Sequence, residues 1–321
     1  MKPGRYYWPQ HPNYNCEHMK VIFSLLLTIF ALYAGAQSIS LKLLDSLSGK
    51  PLPYATVIYH HQTKVTYTDS SGSFRLSKDS LPAGDSIQIE FLGYTRKKIS
   101  ASQLINNQVI RLSLEGNILA PVSVQNCRSY KQYTINKRVG KIKEYVGPGP
   151  ETKFMIIARY PNNKKEEGFI SRIEIWMNNS ATGVKVPVRL HWYEWNNLTG
   201  TPGKELTDTN VIVYAYKEGW NSFDFPAGHC YFPLEEVVFG LEFIYPVEQM
   251  EMFSHLQSAD EKINWLQNMN NRWGLGLQSV DNVAESAFFV MNNSNLAKYS
   301  TPNQRRLYRP AIRFIVNTCR N

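Results

Sequence analysis

The chain reads as short runs of alternating apolar and polar residues separated by turn-forming clusters. Ile39–Leu44 alternates, Asp45–Lys50 turns, and Pro51-Leu52-Pro53 leads into the β-branched and aromatic run Ala55–Tyr59. Comparable runs occupy Lys64–Thr68, Ser73–Leu76, Ser86–Phe91, Thr95–Ile99 and Val109–Leu114, with Asp69–Gly72 and Leu81–Asp85 as turns between them. Short strands at nearly even spacing predict a small antiparallel β-sandwich.

The same pattern returns beyond residue 150. Lys153–Tyr160, Gly168–Trp176, Val186–Tyr193, Val211–Tyr216, Gly219–Phe225, Val237–Tyr245, Trp273–Leu277, Ser286–Met291 and Pro310–Val316 are strand candidates. In the second of these, Phe169, Ser171, Ile173 and Ile175 share one parity. In the third, Val188, Leu190 and Trp192 point one way and Arg189, His191 and Tyr193 the other. Asn196–Glu205 reads as a turn-rich loop. Only Asp260–Met269 has helical periodicity, with Ile263, Leu266 and Gln267 on one stripe. About nine strands with long connections predict a jelly-roll-like β-sandwich, and the fold class is all-β. Between the two modules, Arg128–Tyr145 is basic and weakly amphipathic, and Gly147-Pro-Gly-Pro150 breaks any regular element. This stretch reads as a semi-ordered linker, with Pro121–Val124 as an edge strand or a lead-in.

The first module carries a family resemblance. The stretch SGKPLPYATV, the turn TDSSGSF and the later FLGY follow the pattern of the carboxypeptidase-like regulatory domain. That resemblance implies a transthyretin-like, seven-stranded sandwich, common in exported Bacteroidetes-type proteins and usually an accessory to another domain. It places Phe74 inward and Tyr94 closing the sandwich beneath it. The second module more loosely resembles the uncharacterised C-terminal sandwiches that accompany this domain, a resemblance that carries no reaction with it.

Met19–Gln37 combines Lys20, an apolar run over Val21–Tyr33 and the small-residue site Ala34-Gly35-Ala36. This predicts a cleaved signal peptide, too short to span a bilayer, and hence no integral membrane segment after cleavage. Residues 1–18 fit no such leader and read as a mis-called upstream extension; Cys16 precedes the apolar run and so is not a lipidation site. The predicted organisation is therefore 1–18 extension, 19–36 signal peptide, 37–115 regulatory-type sandwich, 116–150 linker and 151–321 jelly-roll-like sandwich. The expected location is the periplasm or the outer-membrane surface. The formal charge is +9. Removing Lys2, Arg5, Glu17 and Lys20 with residues 1–36 leaves +7, spread in small clusters that do not form a nucleic-acid arm. Cys127, Cys230 and Cys319 remain, allowing one disulfide, with Cys230–Cys319 the preferred pair and free thiols the open alternative.

No catalytic set, cofactor or metal site is predicted. H-E-x-x-H and G-x-S-x-G do not occur. His60-His61 reads as a strand pair with opposed rings, and His229-Cys230 lacks further ligands. Glu174, Glu235, Glu236 and Glu242 are carboxylates by type; Glu242 interrupts the apolar run VVFGLEF and reads as a rim residue. The candidate ligand site is Arg189, His191, Tyr193 and Trp195 beside the Asn196–Glu205 loop, where exposed aromatic rings would stack on a sugar and Arg189 would bind hydroxyls. The 246–272 connection, with His255, Trp265 and Trp273, is a second candidate surface. The expectation is a non-enzymatic envelope protein that binds a glycan or an envelope protein. An accessory subunit of an uptake or secretion assembly and a hydrolase on the second sandwich stay open as alternatives.

Overall fold

The computed structural model describes residues 38–319 apart from 83, 107, 117–128, 150–151, 180–184, 208–209, 226–230, 234, 246–255, 257, 271–272, 281–287, 293–294 and 299–306. The leader, Pro121–Val124, Cys127, His229, Cys230 and His255 lie outside the described residues. Cys319 is disulfide-bonded.

The first sandwich contains β1 (Ser38–Asp45), β2 (Thr56–Tyr59), β3 (Lys64–Tyr67), β4 (Ser73–Ser77), β5 (Ser86–Glu90), β6 (Lys97–Ser100), α1 (Ala101–Asn106) and β7 (Val109–Leu112). Its sheets have the orders β4-β1-β7 and β3-β2-β5-β6, with β1 and β7 parallel. Alternate residues of both sheets meet in the core: Leu41, Leu43, Phe74, Leu76, Ile110 and Leu112 face Val57, Ile87 and Ile89. Phe74 is buried there, as the resemblance implies. Asp69 ends its turn by accepting backbone N–H bonds from Ser71 and Ser73. At Gly72, φ is +74° and an added Cβ would stand 2.7 Å from the Leu43 carbonyl, so the turn requires glycine. The two sequence motifs also meet in space. Asp45 Oδ1 accepts the N–H of Leu47, and Oδ2 accepts the Tyr94 hydroxyl at 2.7 Å. Those bonds, with the Ser48 backbone N–H contributing most, draw the Asp45 carboxyl down to about 2.

The larger sandwich contains β8 (Tyr130–Ile135), β9 (Ile142–Val146), β10 (Phe154–Pro161), β11 (Gly168–Asn179), β12 (Val186–Asn196), β13 (Thr201–Glu205), β14 (Val211–Ala215) and β15 (Gly219–Asp224). It continues through β16 (Tyr231–Phe232), β17 (Glu236–Phe243), α2 (Ala259–Asn270), β18 (Trp273–Val280), β19 (Phe288–Asn292), β20 (Asn295–Lys298), β21 (Leu307–Pro310) and β22 (Ile312–Cys319). A seven-stranded sheet runs β13-β12-β17-β10-β19-β20, with β14 also on β12. An eight-stranded sheet runs β21-β18-β11-β22-β8, with β15 and β16 on β11 and β9 on β18. The chain alternates between the two sheets, and their inner faces share one core in which Phe314 contacts Phe239 and Tyr160 at ring-centroid distances of 5.2 and 4.9 Å.

Several local expectations change. The stretch read as a linker supplies β8 and β9, which pair with β22 and β18; β8 opens on three exposed residues and β9 carries a register shift against β18, so neither alternates cleanly. The Asn196–Glu205 loop contains β13, a hairpin partner of β12. A bulge between Ile170 and Arg172 shifts the parity of β11, so Ile170, Ile173 and Ile175 face inward while Ser171 does not. His60 and His61 sit in a left-handed turn, at φ 50° and 53°, with ring centroids 5.7 Å apart and not opposed. The helix α2 begins with a capping box, Ser258 accepting from Glu261 N while Glu261 accepts from Ser258 N. Its apolar anchor is Trp265 against Tyr245, whereas Ile263 is half-exposed.

The two sandwiches join sheet to sheet. On β2 and β3 the residues facing away from the small core are Thr56, Ile58, Val65 and Tyr67. Val65 and Tyr67 belong to the large sandwich's apolar cluster, with Tyr54 and Ile58 packed at its margin. The outer side of the small four-stranded sheet thus lies on the seven-stranded sheet.

Candidate functional site

Alternation on β12 puts Val188, Leu190 and Trp192 into the core and Arg189, His191, Tyr193 and Trp195 on the opposite face. Arg189 pairs with Glu242 across the β12–β17 ladder, so their side chains share that face. The small sandwich covers this end of the face, and the two groups are buried at 4% and 0% side-chain exposure. Glu242 is therefore not the rim residue its sequence position suggests.

Every polar end in this cluster has a partner. Arg189 donates from Nη1 to Glu242 at 2.8 Å and to Thr56 at 3.3 Å, from Nε to Asn210 at 2.7 Å, and from Nη2 to the Tyr54 carbonyl. Tyr67 donates its hydroxyl to Glu242 at 3.2 Å. His191 bridges two carboxylates, with Nδ1 2.5 Å from Glu205 and Nε2 3.0 Å from Glu242. Lys153, just before β10, reaches Glu90 on β5 at 3.4 Å. Four of these contacts cross between the sandwiches: Arg189 to Thr56 and to Tyr54, Tyr67 to Glu242, and Lys153 to Glu90.

The protonation states follow from this geometry. Burial alone would raise Glu242, but Arg189, Lys153 and His191 outweigh it and hold the carboxyl far below the usual range. Burial would lower His191, but hydrogen bonds and charge from Glu205 and Glu242 raise it above its ordinary value. Burial, reinforced by Glu242, pushes Tyr67 well up, so its hydroxyl stays a donor. The cluster sets the Arg189 guanidinium and the His191 ring against two carboxylates, Glu242 and Glu205.

A cleft of about 320 Å³ opens beside it. The FLGY turn forms one wall with Glu90, Phe91 and Tyr94, and Glu205, His191 and Glu242 contribute to the other.

The four candidate residues separate in the structure. Arg189 and His191 meet in the cluster, where Arg189 spends its donors on protein groups. Tyr193 stacks on His191 at 6.0 Å and donates to Met155 Sδ at 3.3 Å. Trp195 lies farther along, with the Arg159 guanidinium 3.9 Å from its ring centroid and Phe289 beside it. An H-x-x-E spacing is present, His191 to Glu194, but residues three apart on a strand face opposite ways and Glu194 is exposed. Among the described residues, no three His, Cys, Asp or Glu side chains are grouped to hold a metal ion. Sequence reading missed Tyr54, Thr56, Tyr67, Glu90, Lys153 and Glu205. For Glu242 a signal existed, since a carboxylate inside an apolar strand needs a buried cation on the facing strand.

Residues 39–124 match the family model of the CarboxypepD_reg-like domain. No curated protein matches the chain. Solved structures of similar shape include the clostridial cysteine protease Cwp84 after propeptide cleavage, at 10% identity, a TM-score of 0.35, and coverage of 87% of this chain and 70% of that one. Another is the cysteine protease and lectin-like domains of Cwp84, a surface layer associated protein of Clostridium difficile, at 9% identity and a TM-score of 0.33, covering 87% of this chain and 62% of that one. Among the described residues no helix is long and apolar enough to cross a membrane.

Proposed function

We propose that this is an exported, non-enzymatic binding protein of the cell envelope. The CarboxypepD_reg-like domain is a fixed brace, and the larger sandwich presents the surface that binds a glycan or an envelope protein. The carrying observation is the cluster of Arg189, His191, Glu242 and Tyr67 at the joint. Its groups are buried, mutually satisfied and shared between the two sandwiches, which suits a structural lock. A general acid needs a carboxyl that holds a proton near working pH, and Arg189 keeps Glu242 ionised.

One observation favours a second reading. Glu205 and Glu242 both line the cleft and are bridged by His191, a pair of carboxylates of the kind hydrolysis uses. The experiment that separates the readings measures binding and turnover together on the purified protein. A panel of neutral and acidic polysaccharides is scored for retention and for released reducing ends, and an envelope extract for captured protein. Retention or specific capture without turnover is expected. Turnover that disappears in a folded Glu242→Gln variant would establish the hydrolase instead.

A further inference from the structure

The outer face of the eight-stranded sheet carries a row of aromatic side chains that the sequence pattern did not single out. Trp176 on β11 lies directly opposite Trp220 on β15. On the other side of β11, Met177 pairs with Leu275 of β18, which makes Gly276 the outward neighbour of Trp176. Gly276 in turn pairs with Tyr145 on β9. The intervening residues Ile175, Met177, Leu275 and Leu277 are in the core, so Trp220, Trp176, Gly276 and Tyr145 form one cross-strand row on the opposite face. Adjacent strands lie about 4.8 Å apart, so the row extends over about 14 Å.

Gly276 shapes this row. An added Cβ there would stand 2.7 Å from Trp176 Cε3 and 3.3 Å from Cδ2, so the indole lies down over the bare backbone of β18. Tyr145 continues it, with ring centroids 5.5 Å apart and planes inclined by 31°. The tyrosine is 44% exposed. Beside the row stands polar equipment already fixed in place. Arg313 lies 3.9 Å from the Trp220 ring centroid and contacts Glu174 at 3.3 Å, and Arg172 contacts Asp224 at 2.6 Å.

We propose that this face is a platform for an uncharged glycan chain, stacked on Trp176 and Tyr145 and hydrogen-bonded by Glu174 and Arg313. The proposal rests on the binding reading above and names its surface and ligand class. Adjacent, partly exposed rings match the flat apolar face of a pyranose. An extended row of rings suits several linked sugars better than one. Charge selects the ligand: the chain is strongly basic overall, but Glu174–Arg313 and Arg172–Asp224 neutralise one another here. Such pairs offer acceptors and donors to hydroxyls without a net field to attract a polyanion.

The test is affinity electrophoresis of the full-length purified protein in gels containing a neutral β-glucan, xylan, mannan or galactan, with titration followed by tryptophan fluorescence. Retardation by at least one polysaccharide is expected, weakened roughly tenfold by Trp176→Ala and by Tyr145→Ala and largely restored in Trp176→Phe. Circular dichroism and thermal melting confirm that each variant is folded, and the exposed Tyr145 position keeps the test intact if Trp176→Ala misfolds. Binding that survives both alanine variants but fails in Trp195→Ala overturns the platform and leaves the binding reading standing. Absence of any polysaccharide binding also overturns the platform, and specific capture of an envelope protein then upholds binding by itself.

Discussion

The two outer faces of the larger sandwich follow one rule and meet different fates. On β12 and β17 the outward positions hold Arg189, His191 and Glu242; on β11 and β22 they hold Arg172, Glu174 and Arg313. Both are strand positions alternating with core residues, and both pair acids with bases. The first set is sealed under the small domain, whereas Arg172 and Asp224 of the second remain 46% and 72% exposed. Desolvation makes the first set intolerant of losing a partner, and solvent leaves the second replaceable. The difference comes from what lies above the sheet, a long-range property that strand alternation does not carry.

The largest effect that would break this comparison is at the buried pair. Arg189→Met leaves Glu242 buried without its cation and should cost about 3–5 kcal/mol in urea unfolding. Replacing Arg189 and Glu242 together with apolar residues should recover much of that loss. Equal costs for Arg189→Met and Arg172→Met would erase the distinction between the faces.

Next in size is Tyr67→Phe, which removes the hydroxyl between Glu242 and the Phe243 carbonyl. A loss of about 1–3 kcal/mol is expected, because a buried acceptor loses its donor. A change within experimental error would mean that the Tyr67 hydroxyl takes no part in holding the small domain.

The pH dependence sharpens the same contrast. The folded His191 pKa is raised, so its contribution is fully present below the unfolded value of about 6.5 and is lost as pH rises through the folded value. The folded Glu242 pKa is lowered, so its contribution is present above the unfolded carboxylate value and is lost as pH falls toward the folded one. Melting temperature should therefore decline on the alkaline side, and His191→Gln should flatten that limb. A wild-type limb that His191→Gln leaves unchanged would remove the histidine from the joint.

The smallest expected effect lies on the open face. Arg172→Ala breaks an exposed pair with Asp224 and should change stability by less than about 1 kcal/mol.

Much of the architecture was legible because alternation is local. Phe74 was read inward and is buried, Val188, Leu190 and Trp192 were read to one face and share the core, and the S-G-x-P-L and F-x-G-Y motifs correctly announced a regulatory-type sandwich. The strands β8, which opens on three exposed residues, and β9, which carries a register shift, looked like a linker because neither alternates cleanly. The bulge at Ser171 shows the limit of parity, since one extra residue reassigns every side chain before it. The candidate site was half legible. Arg189 and His191 were placed on one face together, but Thr56, Tyr67 and Glu90 come from a separate domain far upstream, and no spacing connects them. Trp176 and Tyr145 escaped notice because the glycine between them, Gly276, has no side chain to enter a pattern.

Differential scanning calorimetry of the purified protein, with and without Arg189→Met, tests the shared lock most directly. A joint held by Arg189, Glu242 and Tyr67 predicts one cooperative transition for the wild type and two separated transitions for the variant, the small domain melting first. Two transitions in the wild type, neither moved by Arg189→Met, would contradict it and make the two sandwiches independent neighbours.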